Sequence, residues 1–199
     1  MIELDHLAVA CTDLAQGADW VAAKLGVPLQ KGGTHVRYGT HNMLLGLADG
    51  LYLEVIAKDP ETAPEAGHSW FGMDHFQGAP RLANWICRAD NLSTYTDITG
   101  PVQALTRADL RWDITVPDDG SLPYGGAFPT LMKWAADTVH PAQRLTPTGL
   151  RLVQLTVSHP DAAYVAAQLA LSDPRIRFET GQAGFHASFD GPDGPKDLS

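Results

Sequence analysis

A histidine and a glutamate stand on two strand-like runs in the first third of the chain, Ile2-Glu3-Leu4-Asp5-His6-Leu7-Ala8-Val9-Ala10 and Leu51-Tyr52-Leu53-Glu54-Val55-Ile56. Side chains alternate across a strand, so His6 shares a face with Leu4, Ala8 and Ala10, and Glu54 shares one with Tyr52 and Ile56. An imidazole and a carboxylate offered by two strands of one small unit can form an acid/base pair or half of a metal site. A lone strand histidine is more often a satisfied core residue. A carboxylate on an apolar strand needs a partner to be buried at all, and this makes the pair the first place to look for function.

Other chemistry-bearing residues are less pointed. His41-Asn42 can add polar groups beside the pair, although a strand-edge histidine is by default exposed. His35, His68, His75, His140, His159 and His186 show no ligand-like spacing and read as capping, turn or surface residues. Trp85, Trp112 and Trp134 read as core, because strand aromatics usually fill space; Trp112, just before the Asp118-Asp119-Gly120 turn, is the best of them for lining a pocket. Trp70, Phe71 and Phe76 lie in a stretch without periodicity and are placed to close over a pocket mouth. Gly32-Gly33 reads as a turn. There is no nucleophile elbow, no phosphate loop and no dinucleotide fingerprint, and neither Cys11 nor Cys87 has a basic neighbour to activate it.

These residues need a scaffold, and the pattern supplies one that restarts. Asp13 or Thr12 caps a helix over Leu14 to Leu25 with Leu14, Ala18, Val21, Ala22 and Leu25 on one face, stopped by Gly26 and Pro28. Strands over His35–Tyr38 and Asn42–Leu47 and a turn at Asp49-Gly50 lead into the Glu54 strand, giving β-α-β-β-β over 1–58. A long connection, 59–80, follows. A second β-α-β-β-β runs over 81–136: a strand at Leu82–Arg88, a short helix over Leu92–Ile98, an edge at Gln103–Thr106, and strands at Leu110–Val116 and Phe128–Trp134. A third start covers 150–190, with a strand at Leu150–Val157, a helix at Asp161–Leu171 and a hairpin from Arg175 to Phe189, and reads as truncated before its last strand. The expected architecture is α+β: paired modules within 1–140 plus a partial C-terminal module.

Composition bounds the partners. With 199 residues, 44% hydrophobic and 19% charged, the chain can bury a sizeable core. A net charge of −9 without a Lys/Arg cluster argues against nucleic acid, and no stretch approaches the roughly 18 apolar residues of a membrane span. No secretory signal pattern opens the sequence and only two cysteines occur, so a reduced cytoplasmic protein is expected. The unfinished third sheet leaves an edge on which a homodimer can form.

The β-α-β-β-β repeat, the opening Leu4-Asp5-His6-Leu7-Ala8-Val9 and the Tyr52-Leu53-Glu54-Val55-Ile56 strand resemble the vicinal oxygen chelate superfamily. The segments Gly39-Thr40-His41-Asn42, Arg81-Leu82-Ala83-Asn84-Trp85, Arg111 to Pro117, Gly125 to Pro129, Lys133-Trp134 and His140-Pro141 make the chain similar to its glyoxalase-like branch. The resemblance implies two modules whose sheets form a cup, with four inward residues from the first and last strands of each module binding a divalent metal. His6 and Glu54 match that pattern in module one. In module two Asn84 stands where a histidine is usual, by register of Asn91-Leu92 on Asp13-Leu14, and Lys133 where a glutamate is usual. A protonated lysine cannot ligate a metal, so a metal is expected only as a nonstandard site on His6 and Glu54, no other cofactor is expected, and Lys133 is expected to compensate Glu54 and attract a substrate oxyanion. Two activities follow from the resemblance: a lyase, isomerase or dioxygenase acting on a small carbonyl or vicinal-oxygen compound, or a non-catalytic protein that sequesters a small molecule, of the bleomycin-resistance type.

Overall fold

The computed structural model describes all of residues 1–199. Strand β1 (Ile2–Ala10) leads to helix α1 (Leu14–Leu25), and β2 (Gln30–His35), β3 (Thr40–Gly46) and β4 (Tyr52–Lys58) complete the first module. The helix starts and stops for the local reasons its sequence offers. The Asp13 carboxylate accepts from the Gln16 amide at 2.8 Å, and Gly26 takes the left-handed conformation (φ 79°) that ends it. The expected strand at His35–Tyr38 is a 3-10 turn over Val36–Tyr38 instead, and the strand lies just before it.

The second module runs β5 (Arg81–Ala89), a 3-10 turn, the single-turn helix α2 (Thr96–Thr99), β6 (Val102–Arg107), β7 (Leu110–Thr115) and β8 (Thr130–Trp134). All eight strands form one sheet in the order β2-β3-β4-β1-β5-β8-β7-β6. In each module the first strand pairs parallel with the last, and β1 pairs antiparallel with β5 to join the halves. The sheet curls into a nearly closed cup: its edge strands β2 and β6 approach without a hydrogen-bonded ladder, and Arg107 of β6 reaches His35 and Asn42 across the seam.

The inner face carries Ala8, Ala10, Ile56, Ile86, Leu105, Trp112, Ile114 and Met132, packed with Tyr38, Trp70, Phe71 and Met73. The outer face joins a larger core with α1 and the C-terminal unit. That unit contains β9 (Arg151–His159), α3 (Ala162–Gln168), β10 (Ile176–Thr180), β11 (Gly184–Gly191) and β12 (Gly194–Leu198), in the order β10-β9-β11-β12.

Two differences from the sequence reading follow. First, the unit is not cut short at residue 190: the tail turns back as β12 against β11. Its exposed edge carries Pro195 and Lys196, which discourage further pairing, so the open edge expected to support a homodimer is blunted. Second, its first strand pairs with β10, whereas the first strands of the other modules pair with their last. Module two shows why this extra sheet is there. Its helix is only one turn and cannot cover the outer face of β5 and β8 as α1 covers module one. The C-terminal unit buries that face instead, placing Phe178 edge-on to the fully buried Trp85 at 5.9 Å.

Candidate functional site

The polar floor of the cup begins with an irregularity in β1. Leu4 pairs with Cys87 and His6 with Ile86, leaving Asp5 as an extra residue in a β-bulge. Strict alternation would aim Asp5 and His6 to opposite faces; the bulge re-aims them together. Asp5 Oδ1 accepts from His6 Nδ1 at 2.7 Å. Asp5 is fully buried, and its other oxygen accepts from Trp134 Nε1 at 3.1 Å and His140 Nε2 at 3.0 Å. His140 Nδ1 is occupied as acceptor from the Ala142 amide, which leaves Nε2 to carry the proton.

Across the floor, Ala8 pairs with Glu54, which places the glutamate beside the imidazole. Glu54 Oε2 lies 3.6 Å from His6 Nε2, longer than a direct hydrogen bond. Glu54 Oε1 accepts from Asn42 Nδ2 at 2.6 Å. Asn42 is held by the Gly32-Gly33 pair, whose role goes beyond a turn: in the irregular stretch of β2 the Gly33 amide donates to Asn42 Oδ1 at 2.8 Å, which turns the NH₂ toward Glu54. Tyr52 stacks on the His6 ring with centroids 4.2 Å apart and 16° between planes.

Burial alone would push the His6 pKa down, but the hydrogen bond to Asp5 and the charges of Asp5 and Glu54 more than reverse it and raise it. Burial would raise both carboxylates. The hydrogen bonds from His140 and His6 hold Asp5 far below its usual range, and His6, with help from Asn42, brings Glu54 down to about 2. The arrangement therefore favours an imidazolium at His6 between two carboxylates.

On the opposite wall, His35 behaves differently. It is buried, its Nδ1 lies 3.1 Å from Thr40 Oγ1, and Arg107 Nη1 donates to its Nε2 at 2.9 Å. Burial, reinforced by the Arg107 charge, lowers its pKa to about 4, so it is a neutral imidazole. Trp70 Nε1 donates to the same Thr40 Oγ1 at 2.9 Å. The space between floor and wall is a cavity of about 40 Å³ enclosed by Leu44, Trp70, Phe71, Trp112, Met132 and Trp134.

The structure brings together His6, Glu54, Asn42 and Trp112 of the residues expected at the site. It moves three others. Lys133 is exposed, pairs in register with Asp113 and reaches the Asp90 carbonyl at 3.1 Å. Met132 and Trp134 face the cup, so Lys133 is one residue out of phase, and a one-residue slip reverses the face. The register names the true counterpart of Glu54: with Asn84 at the place of His6, Ile86 takes the place of Ala8, and the residue paired with Ile86 is Thr130. Asn84 and Thr130 are buried and spend their polarity on each other, Asn84 Nδ2 donating to Thr130 Oγ1 at 2.9 Å, and Asn84 does not line the cavity. His41 pairs with Ala57 of the outer core and so points away from the cavity. Trp70 and Phe71 of the connection do line the cavity, while Phe76 lines a separate cleft.

The residues missed were Asp5, His35, Arg107 and His140. Asp5 sits behind a bulge with no sequence signature, and the other three converge only through tertiary closure. His140 does cap a turn, as expected, but also grips Asp5.

The four-residue metal arrangement does not fit these side chains. Asn84 and Thr130 satisfy one another where the second module would supply its ligands, the Arg107 guanidinium occupies the side facing His35, and no three His, Cys, Asp or Glu groups converge with ligand geometry.

Two β-α-β-β-β modules sharing one cup define the class, the vicinal oxygen chelate superfamily. Within it the chain belongs to the glyoxalase-like domain family, which matches residues 4–171. No curated protein matches the sequence. Among solved structures, a hypothetical protein from Staphylococcus aureus is similar with a TM-score of 0.59 at 12% identity, covering 92% of this chain and 88% of that one. Methylmalonyl-CoA epimerase from Mycobacterium tuberculosis aligns with a TM-score of 0.40 at 19% identity, over 66% of this chain and 86% of its own. A methylmalonyl-CoA epimerase in complex with methylmalonyl-CoA and NH4+ gives 0.43 at 16% identity, over 70% and 98%. Likeness at these identities concerns the fold alone.

Proposed function

We propose that the cup binds a small carbonyl compound and catalyses proton transfer at the carbon beside the carbonyl, an isomerase or lyase type of chemistry. The observation that carries this reading is geometric: two buried groups, His6 and Glu54, face each other across a 3.6 Å gap, with Asp5 on the far side of the imidazole favouring its protonated form. Glu54 Oε2 accepts no hydrogen bond within the protein and is the base; His6 Nε2–H faces the same gap and is the donor to a developing oxyanion. Asp5 positions His6 and keeps it protonated, as Asn42 positions Glu54. A dioxygenase reading has less support, because the side chains present do not make a metal-ligand set. Two buried, unpaired thiols, Cys11 and Cys87, support a reducing cytoplasmic setting.

The test is exchange of carbon-bound hydrogen. The wild-type protein in D₂O should accelerate deuterium incorporation into at least one member of a panel of small 2-oxo acids and hydroxyketones, followed by proton NMR, and Glu54→Gln should slow it by about 100-fold or more. Binding without exchange across the panel would instead favour sequestration, a second reading supported by the aromatic wall of Tyr52, Trp70, Phe71, Trp112 and Trp134.

A further inference from the structure

Arg107 is the one arginine on the cavity wall, and it has no anionic partner. Its Nη1 donates to two neutral acceptors, His35 Nε2 at 2.9 Å and Asn42 Oδ1 at 3.4 Å; its Nε and Nη2 make no hydrogen bond within the protein, and no carboxylate lies within the ion-pair limit of 4.0 Å. Arg88, Arg144 and Arg175, by contrast, each meet a carboxylate. Arg107 also bridges two spaces. It lines the cavity that holds His6 and Glu54, and it lines a larger cleft of about 540 Å³ between residues 34–38 and β6. The seam has no backbone ladder, so the two Arg107 hydrogen bonds are what spans it at this point.

We propose that Arg107 is the substrate-recognition residue of the cup and that the substrate is a small monocarboxylate carrying its carbonyl group next to the carboxylate. The proposal rests on the proton-transfer reading for what happens to the substrate but not for how it is bound. A carboxylate engages a guanidinium through two charge-assisted hydrogen bonds, each stronger than those the neutral His35 and Asn42 side chains provide. An arriving anion therefore outcompetes the seam contacts, enters from the outer cleft and carries its carbonyl toward the floor. A neutral His35 is suited to that role. It accepts from Arg107 and orients it without adding a second positive charge, while its other nitrogen, through Thr40, links the guanidinium to Trp70 over the cavity. Glu54 Oε2 borders the gap on the floor, so an anion needs a cation of its own to sit beside it.

Pyruvate and its neutral methyl ester are the probes, and fluorescence of Trp70, Trp112 and Trp134, all on the cavity wall, is the readout. The expected result is saturable quenching by pyruvate and binding of methyl pyruvate about ten- to hundredfold weaker. Arg107→Met should remove that preference by weakening pyruvate alone, and Arg107→Lys should retain part of it. If Arg107→Met fails to fold, the wild-type comparison of acid with ester and the Arg107→Lys variant still decide the matter. Equal affinity for acid and ester, or no saturable pyruvate binding, overturns the proposal. Arg107-dependent binding of pyruvate without deuterium exchange into any member of the panel would leave the anion site standing and overturn the proton-transfer reading. Exchange into hydroxyacetone with no preference for an acid would do the reverse.

Discussion

Asn42 connects a backbone feature to the Glu54 carboxylate, and its environment leaves little room for change. A Cβ built on Gly32 would sit 1.9 Å from Asn42 Oδ1 and 2.7 Å from the Asn42 carbonyl, and the latter is backbone that cannot swing away. Gly32→Ala should therefore displace Asn42, free Glu54 Oε1 and let the Glu54 pKa rise toward its ordinary value. The expected outcome is a lower melting temperature together with a loss of exchange activity whose acid limb moves to higher pH. An unchanged acid limb would show that Asn42 does not set the Glu54 charge. Asp5→Asn tests the other side of the floor. It keeps the shape but removes the charge that favours the His6 imidazolium, so the His6 pKa, followed by NMR of its ring protons, should fall. The cost in stability should be on the order of 3 kcal/mol, because His6 and His140 both lose a buried anion. His6 and Glu54 were legible in the sequence because a charged residue on an apolar strand stands out. Asp5 was not, because alternation, the rule that singled out His6, assigned it to the opposite face. Lys133 was misassigned for the converse reason: its charge drew attention to a position whose phase points outward, while its uncharged neighbour Thr130 held the inward place.

At the scale of elements, the strongly periodic pieces were readable to the residue and the irregular ones were not. Helix α1 runs from Leu14 to Leu25 as its spacing and caps predict. Module two's helix shrank to a single turn between Thr96 and Thr99, and its covering role passed to a sheet encoded more than 50 residues later, which no local pattern announces. The connection 59–80 has no periodicity because its side chains answer to the cup. Trp70 stacks between Tyr38 at 4.6 Å and Phe71 at 4.5 Å and hydrogen-bonds Thr40, so an irregular backbone carries a well-fixed aromatic plug. With the plug seated, the cavity of about 40 Å³ holds little more than one water, and ligand entry requires the plug or the seam to yield. Trp70→Ala should cost about 3–5 kcal/mol in denaturant unfolding, as expected for a buried tryptophan. It should also speed ligand association in stopped-flow measurements. A slower or unchanged association rate would mean that entry does not pass this side.

For the whole molecule, the buried titratable groups oppose one another across the pH scale, and their signs define a maximum. His35 is neutral when folded, with a pKa lowered to about 4, so below the ordinary histidine value the unfolded chain takes up a proton that the folded chain refuses. Stability should fall as the pH drops from about 6.5 toward 4, by on the order of 2 kcal/mol at pH 5 from this residue alone. Glu54, lowered to about 2, and Asp5, lower still, contribute stability that is present above the ordinary carboxylate range. They extend the loss as the pH falls further through their folded values. His6 has a raised pKa and acts in the other direction: its contribution is complete below the ordinary histidine value and is lost as the pH rises toward its folded pKa. The four groups together place the stability maximum near pH 6.5. Urea unfolding at pH 5, 6.5 and 8 checks this, and His35→Gln separates the contributions. The substitution keeps an amide able to meet Arg107 but removes the titration, so the decline from pH 6.5 to 5 should flatten while the decline above pH 6.5 stays. If the variant keeps the full acid-side slope, the neutral His35 at the seam is not what the fold protects, and the arrangement around Arg107 loses its electrostatic basis.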